Sequence, residues 1–191
     1  MAVNLSKGGR VNLEKEAPGL QNILLGLGWD VKKTDGADFD LDASLLMLDA
    51  NDKAIGETAF IFYNNKTSAC GSVTHEGDNR TGAGEGDDEV ITVALQKVPE
   101  NVQKMTIAVT IHDAENRGQN FGQVDNAFIR VANNDNNEDI ARYDLTEDYS
   151  AETSLIFGEL YRKDGDWRFA AKGDGFAGGL KAYLATYGIE S

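Results

Sequence analysis

Between Asp78 and Glu89 the chain places five carboxylates and one asparagine side chain, as Asp78-Asn79-Arg80-Thr81-Gly82-Ala83-Gly84-Glu85-Gly86-Asp87-Asp88-Glu89. Glycine at every second position from Gly82 to Gly86 lets the backbone bend freely. A bending loop that presents only hard oxygen ligands suits Ca²⁺, which takes six to eight of them. A second acidic element, Asp38-Phe39-Asp40-Leu41-Asp42, lies upstream. In an extended chain its carboxylates project to one side about 6.5 Å apart in succession, while Phe39 and Leu41 turn toward a core. Three like charges on one edge repel each other unless they share a cation. This element alone cannot complete a calcium shell. The glycine loop is the second donor, through Asp78, Asn79, Asp87, Asp88 and Glu89 and through backbone carbonyls near Gly82 and Gly84. Together with Asp38, Asp40 and Asp42 these oxygens are enough for two ions.

Other chemistries fit less well. Asp38-x-Asp40-x-Asp42 opens like an EF-hand loop, but Ala43 stands where glycine is needed and Asp49 falls inside an apolar run. Gly82-x-Gly84-x-Gly86 resembles a phosphate cradle, yet no lysine follows and the flanks are acidic. The Gly84-Glu85-Gly86-Asp87 fragment occurs once, whereas a calcium-binding β-helix needs stacked copies. Cys70, His75 and His112 supply too few soft ligands at metal-like spacing for zinc. His112-Asp113 lacks a nucleophile elbow, and no complete set of acid, base and nucleophile is visible, so no catalytic residue is assigned. Cys70 reads as a loop thiol without a redox partner. The competing reading of the acidic runs is a solvated face that aids solubility.

The formal net charge is −14. The two acidic elements carry half of it, and so acidic a surface excludes nucleic acid as a partner. A single cysteine rules out an intramolecular disulfide and fits a reducing cytoplasm. No segment approaches the roughly 20 apolar residues of a membrane span, and the N-terminus lacks the apolar stretch of a signal peptide. Residues 1–191 are expected to form one domain.

The elements that must position these groups read as short strands. Ile23–Trp29, Ser44–Leu48, Phe60–Tyr63, Val90–Leu95, Met105–Ile111, Phe128–Val131, Ile140–Tyr143, Leu155–Tyr161 and Trp167–Ala171 are rich in β-branched and aromatic residues, with Asn, Asp and Gly between them. This pattern predicts a mainly β fold, an antiparallel sandwich. Gly26 and Gly28 mark a close approach of a neighbouring backbone. Lys163–Asp166 reads as a hairpin turn. Leu180, Tyr183, Leu184 and Tyr187 fall on one face of a short C-terminal helix that Gly188 is placed to cap, and Asp113–Gln119 holds a further helical turn.

Several longer stretches resemble the TerD family of tellurium-resistance and stress proteins. They are Gly26-Leu27-Gly28-Trp29-Asp30, Asp38 to Ser44, Phe60 to Asn65, Gly77 to Gly82 and Gly84 to Glu89, with Ile111-His112-Asp113-Ala114, Phe157 to Arg162 and Gly175 to Leu180. The resemblance runs nearly end to end. It implies a calcium-binding β-sandwich similar in shape to C2 domains, without established enzymatic chemistry. It also implies a cytoplasmic protein that assembles with other Ter-family proteins, some at the inner membrane. The family's calcium ligands map onto the acidic motifs, which ranks Asp38, Asp40, Asp42, Asp78, Asn79, Asp87, Asp88 and Glu89 first. Asp30, Asp35, Asn64 and Asn65 are secondary, because turn chemistry at strand ends explains them equally well. Two other roles are compatible with the residues: a metal-dependent enzyme acting on a phosphorylated ligand, and calcium-dependent binding to a membrane surface.

Overall fold

The computed structural model describes residues 2–31, 39–77, 86–145, 149 and 151–189. Among the described residues twelve strands form two six-stranded sheets. In chain order they are β1 (Val3–Leu5), β2 (Arg10–Asn12), β3 (Asn22–Val31), β4 (Leu41–Leu48), β5 (Phe60–Ile61) and β6 (Val73–His75). They continue with β7 (Glu89–Ala94), β8 (Lys104–Ile111), β9 (Val124–Asn133), β10 (Glu138–Asp144), β11 (Ser154–Lys163) and β12 (Asp166–Phe176). The α-helices among the described residues are short: α1 (Leu13–Glu16), α2 (Ala114–Arg117) and α3 (Gly179–Thr186). One sheet has the order β1-β10-β9-β3-β7-β6 and the other β2-β12-β11-β8-β4-β5.

The sandwich expected from the strand pattern is present, and among the described residues its pairings are antiparallel except that of β1, which lies parallel to β10. Ile23, Leu25 and Leu27 of β3, Ile91 and Val93 of β7, and Met105, Ile107 and Val109 of β8 belong to one buried apolar cluster. Such alternation is what a strand with one face on a core dictates. Phe39 and Leu41 are buried, at 6% and 2% exposure, as the spacing of the first acidic element requires.

The other face of β8 is covered by α3. Thr106 Oγ1 lies 2.6 Å from the Tyr183 hydroxyl, and both side chains are fully buried. Burial pushes that phenol well above the usual tyrosine range, against the Thr106 hydrogen bond. Gly188 follows the helix in the left-handed region (φ 83°), with its N–H and that of Ile189 donating to the carbonyls of Ala185 and Leu184. The expected C-terminal cap is therefore in place. The hairpin between β11 and β12 turns through Asp164 (φ 56°) and Gly165 (φ 87°), the signature of a primed two-residue turn. Phe60–Tyr63 departs from expectation: the strand stops at Ile61, because Phe62 and Asn65 exchange backbone hydrogen bonds of 3.1 and 3.0 Å and Asn65 Nδ2 donates to the Phe60 carbonyl.

Candidate functional site

Gly26 and Gly28 lie mid-strand on β3, where glycine weakens a sheet unless something must come close. A Cβ at Gly26 would lie 2.3 Å from the Asp87 carboxylate, and one at Gly28 would lie 2.4 Å from the Phe128 ring and 2.9 Å from the Gly86 carbonyl. The bare stretch of strand is thus a seat for the C-terminal end of the acidic loop. A backbone approach was expected here; side chains supply most of it. Asp87 is held on this seat by Arg130 of β9, whose Nε lies 2.9 and 3.0 Å from the two carboxylate oxygens and whose Nη2 lies 2.7 Å from Oδ2. The same guanidinium reaches Asp139. The hydrogen bonds to Asp87, more than those to Asp139, hold Arg130 even more firmly protonated, overcoming its burial.

The next two residues tie the loop to both sheets. The Asp88 N–H donates to the Leu27 carbonyl at 2.7 Å, and Asp88 Oδ2 accepts from the Trp29 N–H at 2.8 Å, beside a register shift between Gly28 and Asp30. Burial raises the Asp88 carboxyl above the usual range. The negative charges of Asp30 and Asp87 add to the rise and the Trp29 amide opposes it. Glu89 opens β7 at 2% exposure, and its Oε2 accepts from the Ala43 N–H of β4 at 2.6 Å and lies 3.3 Å from Nε2 of His75, itself 2% exposed. Among the described residues β5 pairs with β4 at Leu45 and Leu46 and does not reach Ala43, so the Ala43 amide takes a carboxylate in place of a strand partner there.

The TerD domain family matches residues 1–187. This chain belongs to the TerD family. It is 59% identical over 191 residues to the tellurium resistance protein TerD of Serratia marcescens, covering all of both chains. It is 53% identical to general stress protein 16U of Bacillus subtilis (strain 168), covering 100% of this chain and 99% of that one. A crystal structure of a homologue of telluride resistance protein (TerD) from Streptomyces coelicolor A3(2) superposes with a TM-score of 0.70 at 23% identity, covering 91% of this chain and all of that one. That likeness supports the fold.

Of the acidic residues singled out in this TerD-family chain, Asp87, Asp88 and Glu89 come together at the start of β7. Asp40 precedes β4: its carbonyl accepts from the His112 N–H at 2.7 Å, and its Oδ1 is buried without a hydrogen-bond partner among the described residues. Asp42 lies opposite Thr110 in the β4–β8 register and lines a groove beneath α3. Asp38, Asp78, Asn79, Gly82 and Gly84 lie outside the described residues, as does Asp35. Among the described residues no three His, Cys, Asp or Glu side chains converge closely enough to hold a metal ion. Asp30 accepts from Asn126 Nδ2 at 2.7 Å and Asn65 closes its own turn, so structural bonding accounts for these two secondary candidates. Sequence reasoning missed Arg130, and it set His75 aside as a zinc ligand without finding its carboxylate partner Glu89. Arg130 could have been found as a lone cation inside an apolar strand, and His75 as the third residue of an alternating Val-Thr-His run.

Proposed function

We propose that this chain is a calcium-binding, non-enzymatic module of tellurite and general stress resistance. The residues that would hold two Ca²⁺ are Asp38, Asp40, Asp42, Asp78, Asn79, Asp87, Asp88 and Glu89, with backbone carbonyls near Gly82 and Gly84. The observation that carries this reading is the buried Asp40 Oδ1, which has no hydrogen-bond partner among the described residues. A buried carboxylate oxygen normally has a donor or a cation against it. Asp88, raised by burial and by two neighbouring carboxylates, supports the same reading, because a bound cation would relieve both effects. Asp87, Asp88 and Glu89 can serve the protein and an ion together, since each carboxylate offers about four lone-pair sites. The donor set is all oxygen, as a hard cation requires.

Bound calcium supplies positive charge against the two acidic elements. Asp88 and Glu89 are fixed to Trp29 and Ala43, so order imposed on the loop reaches β3 in one sheet and β4 in the other. The resistance role rests on the names of full-length relatives, tellurium resistance protein and general stress protein. In this reading the module acts in the cytoplasm, where its calcium-ordered loops engage other Ter-family proteins, including those at the inner membrane. No helix among the described residues is long and apolar enough to cross a membrane.

The test is calorimetric titration of chelator-stripped protein with Ca²⁺, with Mg²⁺ as control. Submicromolar binding near two equivalents with Mg²⁺ silent is expected. Absent or millimolar binding would leave the acidic elements as solubility or partner surfaces and overturn the proposal.

A further inference from the structure

The outer face of the second sheet carries a basic depression that the calcium reading does not use. Register puts Arg10 of β2 opposite Ala170 of β12, and Ala170 opposite Glu159 of β11. Tyr161 pairs with Lys104 of β8. Directly paired residues share a face, as do residues two apart on one strand. These five side chains therefore lie on one surface, beside the part where Thr106 meets Tyr183 of α3. Ala170 is short and its neighbours are long, which leaves a cavity of about 260 Å³ that Lys172 also lines. That is smaller than a drug-sized site and suits an ion or a headgroup.

Three cations from three strands converge here, in a chain whose net charge is −14. Two carboxylates answer two of them. Lys104 Nζ lies 2.6 Å from Asp52 Oδ1 and 3.5 Å from Glu159 Oε1, and Lys172 Nζ lies 3.3 Å from Glu159 Oε2. Lys172 sits where the β11–β12 register shifts and Gly173 turns left-handed (φ 64°), an irregularity of the kind that re-aims a side chain. Arg10 is exposed and keeps no carboxylate. Its guanidinium lies over the Tyr161 ring, 6.0 Å from the centroid, without a hydrogen bond or ion pair among the described residues.

The donors point the same way as the charges. An ammonium carries three N–H groups and a guanidinium five. The ion pairs use two of the three on Lys104 and one of the three on Lys172, and none of those on Arg10. The carboxylate acceptors are thus spent before the donors are. A cation would add to the surplus positive charge, and an apolar guest would cover these donors unpaired. A small oxyanion with several acceptors matches all three side chains: Arg10 offers a planar fork, and the lysines offer compact point charges.

We propose that this depression binds a phosphate group, with Arg10, Lys104 and Lys172 donating to its oxygens. Glu159 holds the two lysines and competes with the ligand for them. The site stands apart from the first acidic element. Leu48 pairs with Lys104 at one end of β4 and Asp42 with Thr110 at the other, a separation of about 20 Å along the strand.

The proposal is tested on the full chain, freed of calcium and chelator, by amide chemical-shift titration with inorganic phosphate and with methyl phosphate. Sodium chloride of equal ionic strength is the control. Saturable binding, millimolar or tighter, is expected, with shifts centred on Arg10, Lys104, Glu159 and Lys172. Arg10→Gln should weaken it about fivefold and Glu159→Gln should tighten it about threefold. Lys181→Gln, an equal charge change on α3 outside the depression, should leave it unchanged. Vesicles of phosphatidylcholine with and without phosphatidic acid separate the sources. Pelleting with phosphatidic acid that free phosphate reverses assigns a lipid headgroup, and no pelleting assigns a soluble phosphate. No saturable shift, the same shifts in sodium chloride, equal losses in Arg10→Gln and Lys181→Gln, or no gain in Glu159→Gln would overturn the proposal. A failed calcium titration would leave this result standing, because the two sites share no residue.

Discussion

The two acidic elements contain the same chemical groups and use them differently. At the loop end, Asp87, Asp88 and Glu89 each have a protein partner: the Arg130 guanidinium, the Trp29 amide and the Ala43 amide with His75. At the first element, Asp40 keeps a buried oxygen without a hydrogen bond among the described residues, and Asp42 faces the groove under α3. The loop end is therefore anchored by its carboxylates, whereas the first element holds a carboxylate in reserve. Removing the Asp87 or Glu89 carboxylate should therefore cost stability, whereas removing that of Asp40 should cost calcium affinity and leave the fold intact.

Glu89→Ala is the most severe way to probe that contrast. It leaves the Ala43 N–H and His75 without their acceptor at a site with 2% exposure, and denaturant unfolding should show a loss of roughly 2–5 kcal/mol. Glu89→Gln keeps an acceptor for Ala43 and should cost about 1 kcal/mol. If alanine proves no worse than glutamine, the carboxylate is not an anchor.

Next in size is the Asp87–Arg130 pair, partly shielded from solvent. Asp87→Ala should cost roughly 1–3 kcal/mol. Gly26→Ala should cost about as much, because its Cβ would occupy the carboxylate's place, and the double variant should be little worse than either alone. Additive losses would show that Gly26 serves something other than Asp87.

A smaller effect is a pH dependence. The Asp88 carboxyl is raised in the folded protein, chiefly by burial. Its ionisation therefore opposes folding, and its contribution is most favourable below the unfolded-state value near 3.8. That contribution is lost as pH rises through the folded midpoint. In chelator, Asp88→Asn should flatten this decline and leave the protein slightly more stable at pH 7, while weakening Ca²⁺ binding. A variant less stable than wild type at pH 7 would mean that the Trp29 hydrogen bond outweighs burial.

Asp40→Ala should be the mildest for the metal-free fold, within about 0.5 kcal/mol, while Ca²⁺ affinity drops at least tenfold.

Much of this organisation was legible in the residues. Strands β3, β7, β8, β9, β11 and β12 each carry enough alternation or β-branched content to be located within a few residues, and Gly188 marked the helix end. The three-residue strands β1, β2 and β6 were not, since three residues cannot display a period. Phe60–Tyr63 misled because aromatic content reads as strand, while the Asn65 side chain closes a turn that the pattern does not encode. The acidic loop was visible as chemistry, but its anchoring was not. Arg130 is 43 residues from Asp87, and Ala43 is 46 from Glu89. Such pairs are created by sheet order, which local sequence does not state. Gly26 and Gly28 signalled that something approaches β3; only the register shows that it is Asp87 and Phe128.

The most direct test compares chelator-stripped wild type and Asp40→Ala in urea unfolding, each without calcium and with Ca²⁺ about a hundredfold above the wild-type dissociation constant. The account predicts matching metal-free stabilities. Calcium should stabilise wild type by about 2.7 kcal/mol or more, and the variant by at least 1 kcal/mol less, as a tenfold loss of affinity requires. Equal calcium stabilisation of both, or none of wild type, would contradict it.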